Sequence, residues 1–336
     1  MVGFVSDNVS GIHPAIYDAM SRENSGYRMP YGDDDLSRVL DDRFSELFGA
    51  EVAVLPCLTG TATNSLSLAL MTRPYNSVCV YADSHVYLDE CAAPEFFSGG
   101  ARQVPIGRPE GKIDPAELLK AMAAIGQPQS AQPAAVTVSQ ATEIGTLYRI
   151  PELHAITTVA RNHGLKTHMD GARFANAVAG LDCHPSEITW KANIDILSFG
   201  ATKNGCLAAE ALVLFDTSYI EEARYRLKQC GQRLSKQRFL SAQLLAYIDN
   251  GLWLSNAQHA NRQAATLAAK LTAIDGVELL HTDKSNMLFV KFSMAQIAAL
   301  QAAELAGYLY DSGYMRLVCS WATTDEEVSK FLATVS

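Results

Sequence analysis

Six short runs of apolar and β-branched residues recur along this chain, at 52–55, 77–81, 135–139, 166–169, 195–199 and 211–215. Amphipathic or Ala-rich stretches separate them, at 61–71, 115–125, 151–162 and 174–179. This alternation leaves few folds open. Strands spaced by helix-length segments need crossover connections, which give a mostly parallel sheet covered by helices on both faces, an α/β architecture. The pattern leaves the direction of the last run open. The segment Gly126-Gln-Pro-Gln-Ser-Ala-Gln-Pro133 reads as a loop inside this unit. Beyond it, helical stretches at 235–247 and 257–273 flank a break near Asn250-Gly251. They lead to a smaller α+β layer with strands at 277–280, 287–292 and 315–319, a helix at 294–305 and a last helix from Asp325. The expected division is an N-terminal segment 1–30, a large domain 31–248 and a small C-terminal domain 249–336.

A chain of 336 residues suits one large domain plus a smaller one, and 48% hydrophobic residues suffice for a sizeable core. The net charge of −9 and the lack of any Lys/Arg-rich run argue against nucleic acid or an anionic membrane as a partner. Seven cysteines are scattered with no Cys-x-x-Cys, as expected of reduced thiols in a cytoplasmic protein. The N-terminus lacks the basic start and apolar stretch of a signal peptide. No uncharged apolar run reaches the ~18 residues of a membrane span.

Chemistry concentrates at the ends of the predicted strands. Asp170 follows the run at 166–169, where open α/β sheets place their ligands. Lys203 follows the run at 195–199, among the small residues of Ser198-Phe-Gly-Ala-Thr-Lys203-Asn-Gly205. Pyridoxal phosphate (PLP) needs this pair: a lysine to form a Schiff base, and a carboxylate to keep the pyridine nitrogen protonated so that the ring accepts electrons. Partial desolvation gives such a lysine its free amine. Asp170 also suits a helix N-cap, and the two roles are compatible. Thr59-Gly60-Thr61 lies between a strand and a helix, where free N–H groups make an anion site for a phosphate or a plain cap. Arg173 suits a bidentate carboxylate contact or a surface ion pair. His85, after the run at 77–81, suits ring stacking or proton transfer. Tyr31-Gly-Asp-Asp-Asp35 suits a metal or cap motif or equally an N-terminal loop, and no metal is assigned there.

As a set these residues resemble the low-specificity L-threonine aldolases, PLP enzymes of the aspartate-aminotransferase (fold type I) superfamily. The matching blocks are Val5-Ser-Asp-Asn8, Tyr31-Gly-Asp-Asp34, Leu58-Thr-Gly-Thr-Ala-Thr-Asn64 and Asp83-Ser-His85 with Tyr87. They continue with His168-Met-Asp170-Gly-Ala-Arg173-Phe-Ala-Asn-Ala177, the Lys203 block and Met315-Arg-Leu-Val318. The resemblance implies a fold type I large domain with a seven-stranded sheet, and retro-aldol cleavage of L-threonine, L-allo-threonine and other L-β-hydroxy-α-amino acids to glycine and an aldehyde. It implies Lys203 as the Schiff-base lysine, Asp170 at the pyridine nitrogen, His85 stacked on the ring, and Thr59, Gly60 and Thr61 at the phosphate. Ser6, Arg173 and Arg316 would hold the substrate carboxylate. Tyr31 would reach into a neighbouring subunit's site, because the fold builds its sites at a dimer interface, with dimers pairing into a homotetramer. Other fold type I chemistries, namely a phenylserine-preferring aldolase, a β-eliminating lyase or an aminotransferase, remain the alternatives.

The chain departs from the family in two places. Some members carry a histidine before the Asp-Gly-Ala-Arg strand, whereas Gln140-Ala-Thr-Glu143-Ile-Gly145 puts Glu143 there. His85 is therefore the first candidate base for the β-hydroxyl, and Glu143 the second. The cross-subunit phosphate cation has candidates in Lys228, Arg233, Lys236 and Arg238, of which Lys236 is chosen.

Overall fold

The computed structural model of the chain describes residues 3–108 and 110–336. Seven strands form the main sheet: β1 (Ala53–Cys57), β2 (Asn76–Tyr81), β3 (Arg102–Ile106), β4 (Gln132–Ser139), β5 (Lys166–Gly171), β6 (Ile196–Gly200) and β7 (Glu210–Leu214). Their order is β1-β7-β6-β5-β4-β2-β3. Only β7 runs against its neighbours, pairing antiparallel with both β1 and β6. The others pair in parallel or share that direction, so their C-terminal ends line one edge of the sheet.

Strand periodicity explains why this sheet is buried on both sides. Val54, Cys79, Val136, Val138, Met169, Leu197, Phe199 and Val213 feed one core, with helices such as Leu40–Phe48 and Arg238–Ile248 against it. The alternate residues Ala53, Leu55, Val78, Val80, Ala135, Ile196 and Leu212 feed another, under the helix Gly60–Met71. Such two-sided burial is what continuous apolar runs in parallel strands encode. The seven strands include one that the apolar pattern does not mark, β3. It is an edge strand on β2, half exposed and carrying Pro105, which an edge tolerates because no ladder partner needs its N–H.

Two glycines at the working edge have no side chain because there is no room for one. A Cβ on Gly171 would lie 2.6 Å from the Ser198 carbonyl oxygen, and one on Gly200 would lie 2.6 Å from that of Ala172. The small residues beside Asp170 and Lys203 are thus packing requirements where the ends of β5 and β6 converge.

The second sheet is antiparallel, with β8 (Glu278–Leu279), β9 (Met287–Lys291), β10 (Tyr308–Leu309) and β11 (Tyr314–Val318) in the order β10-β11-β9-β8. Its inner face packs Val290 and Leu317 against Leu267, Leu300 and Phe331 from the helices Leu252–Leu271, Met294–Ala302 and Asp325–Val335. Truncating a buried phenylalanine such as Phe331 to Ala costs about 3–5 kcal/mol at such a site. Phe4 joins this core, and the Val318 N–H bonds the Phe4 carbonyl, so the N-terminal segment is tied to the C-terminal layer. The helix preceding that layer breaks where expected, at Asn250 (φ 54°) and Gly251 (φ 69°). Among the described residues no helix is long and apolar enough to cross a membrane.

Candidate active site

The sheet's C-terminal edge gathers residues from five chain segments. Asp170 ends β5 at 6% exposure. Its Oδ1 accepts the Ala172 N–H at 2.9 Å in a local turn and its Oδ2 accepts from Asn64 Nδ2 at 2.8 Å. The helix Phe174–Leu181 begins after Arg173 with no side-chain cap, so Asp170 is not its N-cap. Two strand positions earlier His168 is fully buried between Thr137 Oγ1 (2.7 Å) and Ser198 Oγ (3.0 Å), and burial pushes it down to about 4. A neutral imidazole therefore braces β4, β5 and β6 directly behind Asp170.

Lys203 sits on the one-turn helix Thr202–Asn204 after β6. The turn is anchored from below. Glu210, buried on β7, accepts the Ala201 N–H at 3.0 Å, and burial pushes its carboxyl up to about 7. Asn204 donates to Tyr247 Oη (2.7 Å) and to the Trp253 carbonyl (2.8 Å), while Asn256 donates to the Asn204 carbonyl at 2.9 Å. Lys203 itself is close enough to act electrostatically on His85, Asp7 and Glu210.

The phosphate candidates lie at the start of the helix Gly60–Met71. Thr59 caps it, accepting the Ala62 N–H at 3.2 Å. The amides of Gly60 and Thr61, first in the helix, have no carbonyl one turn back to bond. The space over Gly60 is open, since a Cβ there would meet no atom within 4 Å. Free amides, a Gly with room above it and a helix N-terminus fit a phosphate. Asp170 and Lys203 beyond them fit the ring nitrogen and the aldehyde carbon of the same molecule.

His85 opens a short helix after β2 and its ring is half exposed. Nδ1 lies 2.8 Å from Glu90 Oε1, and this bond raises the imidazole above its usual value against the opposing effect of burial. Glu143, from the turn after β4, holds the same helix from another side. Its Oε1 accepts Ser139 Oγ at 2.5 Å and the His85 N–H at 3.1 Å, while its Oε2 is buried without a partner. Burial pushes this carboxyl up to about 7.

Arg173 is less free than a substrate arginine would be if it stood alone. Its Nε and Nη2 grip Asp7 at 2.8 and 3.0 Å, and Asp7, 2% exposed, also accepts from Asn286 Nδ2 at 3.1 Å. Burial raises the Asp7 carboxyl, but Arg173 together with Lys203 outweighs it and holds the group below its usual value. The end of the guanidinium away from Asp7 remains for a second anion. Arg316 on β11 approaches from the other sheet, its Nη2 3.4 Å from the Val5 carbonyl and its guanidinium over the Tyr308 ring. Ser6 next to Asp7 accepts the Asn8 N–H.

Three expected residues fall outside this group within one chain. Tyr31, 44% exposed with φ 58°, is flanked by Lys228 and Arg233, whose charges lie 5.2 and 5.9 Å from the ring centre. Lys236 is exposed beside Ser235, whose carbonyl takes the Tyr31 N–H. Tyr87 points outward from the short helix that His85 begins, 40% exposed. Asp34, in the acidic run after Tyr31, caps the helix Asp35–Arg38. Conversely, Asp7, Asn64, Glu90 and Glu210 join the site although no pattern marked them. Asn64 and Asp7 stand inside the motifs quoted above, but Glu90 and Glu210 have no local signal at all.

The profile described as beta-eliminating lyase matches residues 3–294. A low specificity L-threonine aldolase of Pseudomonas sp. (strain NCIMB 10558) is 41% identical over 333 residues, covering 99% of this chain and 96% of that one. The chain belongs to the low-specificity L-threonine aldolases of the β-eliminating lyase family. A second aldolase of that description, from Escherichia coli (strain K12), is 27% identical over 89% of this chain and 87% of its own. The threonine aldolase of Leishmania major superposes with a TM-score of 0.92 at 30% identity, over 100% of this chain and 98% of the other. An aspartate aminotransferase from Thermus thermophilus shares the fold alone, with a TM-score of 0.71 at 15% identity. As a member of this aldolase family the chain is a PLP-dependent carbon–carbon lyase.

Proposed function

We propose that this aldolase cleaves the Cα–Cβ bond of L-threonine, L-allo-threonine and related L-β-hydroxy-α-amino acids, releasing glycine and an aldehyde. The observation that carries the site assignment is the convergence of Lys203, Asp170, His85 and the Gly60 helix start on one sheet edge, with Arg173 beside them. When bound, PLP supplies the electron sink for the pair released on cleavage. Lys203 would hold it covalently, Asp170 would face its ring nitrogen, Thr59, Gly60 and Thr61 would hold its phosphate, and His85 would lie on its ring.

The chain's own groups then orient and deprotonate the substrate. The free end of Arg173, with Arg316 and Ser6, binds the carboxylate and so sets which Cα bond stands perpendicular to the ring, which is catalysis by orientation. His85 Nε2 takes the β-hydroxyl proton, with Glu143 as the weaker alternative. Tolerance at Cβ follows from weak discrimination in an open pocket, where one methyl group is worth only ~1–3 kcal/mol.

The working protein is a homotetramer in the cytoplasm, in which Tyr31 completes a neighbour's site and Lys236 reaches its phosphate; the exposure of Tyr31, Tyr27 and Met29 and the seven free thiols support this. The N-terminal segment, large domain and small domain divide near residues 30 and 248. Incubation of the enzyme with L-threonine should yield glycine and acetaldehyde in equal amounts. A keto acid with ammonia instead would assign the site to β-elimination. Over L-threonine, His85→Asn should abolish the acid limb of the pH–rate profile; a normal profile moves the base to Glu143 or water.

A further inference from the structure

Glu90 is a buried carboxylate with no role in the steps above, and it joins a hydrogen-bond network with His85, Asn64 and Asp170. Its side chain is wholly shielded from solvent, while the His85 ring beside it is half exposed. Glu90 Oε1 receives two bonds, one from His85 Nδ1 and one from Asn64 Nδ2, each 2.8 Å long. The second N–H of the same Asn64 amide reaches Asp170 Oδ2, also at 2.8 Å. Both protons of one amide are thus committed to two different carboxylates. That arrangement fixes the Asn64 side chain with its nitrogen inward, since its oxygen would repel both acids.

Chemistry dictates the rest. Burial raises the Glu90 carboxyl, while the bonds from His85 and Asn64 oppose that rise and favour its ionised form. As a carboxylate Glu90 can only accept, so Nδ1 carries the proton in their bond and Nε2 is left with the lone pair. The ring cannot rotate without losing that bond in a place that water does not reach. The donor atoms of His85, Glu90 and Asp170 lie within 4.8 Å of one another, the spacing of a cation site. Asn64 Nδ2, bonded to both carboxylates, already does the work a cation would do there.

We propose that Glu90 is the positioning residue for His85: it selects the tautomer that presents Nε2 as a base and, through Asn64, ties that histidine to the carboxylate Asp170. This rests on the reading of His85 as the base. The groups acting on His85 are Glu90 from the loop after its helix, Asp170 at the end of β5, Lys203 after β6, and Glu143, which holds its backbone N–H. Of these, Glu90 and Asp170 favour the imidazolium, Lys203 opposes it, and burial opposes it as well.

The sign of the consequence follows. Glu90 raises the imidazole, so a neutral isostere must let it fall, and the base form must then persist to lower pH. Glu90→Gln keeps an oxygen acceptor for Nδ1 and for Asn64 while removing the charge. The test uses the PLP-loaded enzyme with its eight histidines labelled at Cε1, the His85 signal being assigned by its loss in His85→Asn. Retained visible absorbance confirms cofactor loading in each variant. The His85 titration midpoint should lie at lower pH in Glu90→Gln than in the wild type, and Glu90→Asp, which keeps the charge on a shorter arm, should fall between them. Identical midpoints in all three overturn the proposal, as does a loss of activity in Glu90→Gln with no change in the titration. If the midpoint moves but the acid limb of kcat/KM does not follow it, Glu90 positions His85 as stated and the assignment of His85 as base is what fails.

Discussion

The site has two halves that are built differently. The half proposed to hold the cofactor draws on strand ends of one sheet: Asp170 on β5, Lys203 after β6 and the Gly60 helix beneath them, braced by His168 and Glu210. The half proposed to bind the substrate carboxylate draws on three distant parts of the chain: Asp7 from the N-terminal segment, Arg173 after β5, and Asn286 and Arg316 from the C-terminal layer. The first is fixed by one sheet with a packed core on each face. The second exists only when the small sheet is docked, because Asn286 donates to Asp7 and to the Cys319 carbonyl from that side. Hence lesions in the first half should strike cofactor and turnover, and lesions in the second should strike substrate affinity.

The sharpest way to break that division is at Lys203. Lys203→Ala removes the proposed attachment point while leaving the Asp7–Arg173 ion pair in place, so the visible absorbance of covalently held cofactor should disappear and turnover should fall by at least about 10³-fold. Absorbance spectra and a glycine-release assay measure both. Retention of either would take the cofactor half apart.

A smaller effect is expected from Asp7→Asn. The isostere can still accept one bond from Arg173, but it removes the charge that holds the guanidinium side-on. Arg173 should then sample other orientations and the proposed carboxylate clamp should loosen. KM for L-threonine should rise about tenfold with kcat changed much less, the pattern of lost uniform binding. The visible spectrum should stay as in the wild type. An equal loss in kcat alone would mean that Asp7 serves the cofactor half through Lys203 instead.

The two halves also differ in how far the sequence disclosed them. Asp170 and Lys203 are legible because each stands at the end of an apolar run, and strand ends are where α/β sheets bind ligands. The small residues around them are legible for a physical reason: convergence of β5 and β6 leaves no room for a Cβ at Gly171 or Gly200. The strand β3 escaped because an edge strand with Pro105 has neither the composition nor the burial of its neighbours. The Asp7 to Arg173 pair escaped because its partners lie 166 positions apart, and no local period links them. Glu90 and Glu210 escaped for the opposite reason, since a single acidic residue near a histidine or in a strand looks like solvent-facing polarity until the fold buries it. The ion pair that the sequence offered as one reading of Arg173 is what the structure shows, but the pattern did not disclose that its partner is the buried Asp7.

Glu143 offers the gentlest test, and it bears on the cofactor half because this carboxyl holds the helix of His85, which is proposed to lie on the ring. Burial lifts its pKa from the ordinary 4.5 to about 7. For a carboxyl raised on folding the penalty is absent below the unfolded value, grows as pH climbs from 4.5 to 7, and is complete above that. Ionised Glu143 therefore costs the folded state on the order of 3 kcal/mol at pH 8. Glu143→Gln cannot ionise, so its melting temperature relative to the wild type should climb by a few degrees between pH 5 and pH 8. Only the pH dependence of the difference is diagnostic, because the new amide brings an N–H to the place where Oε2 has no partner. A constant difference across that range would mean that Glu143 is ionised at no cost. The carboxylate would then already be charged and poised beside His85, making it the stronger contender for the β-hydroxyl proton.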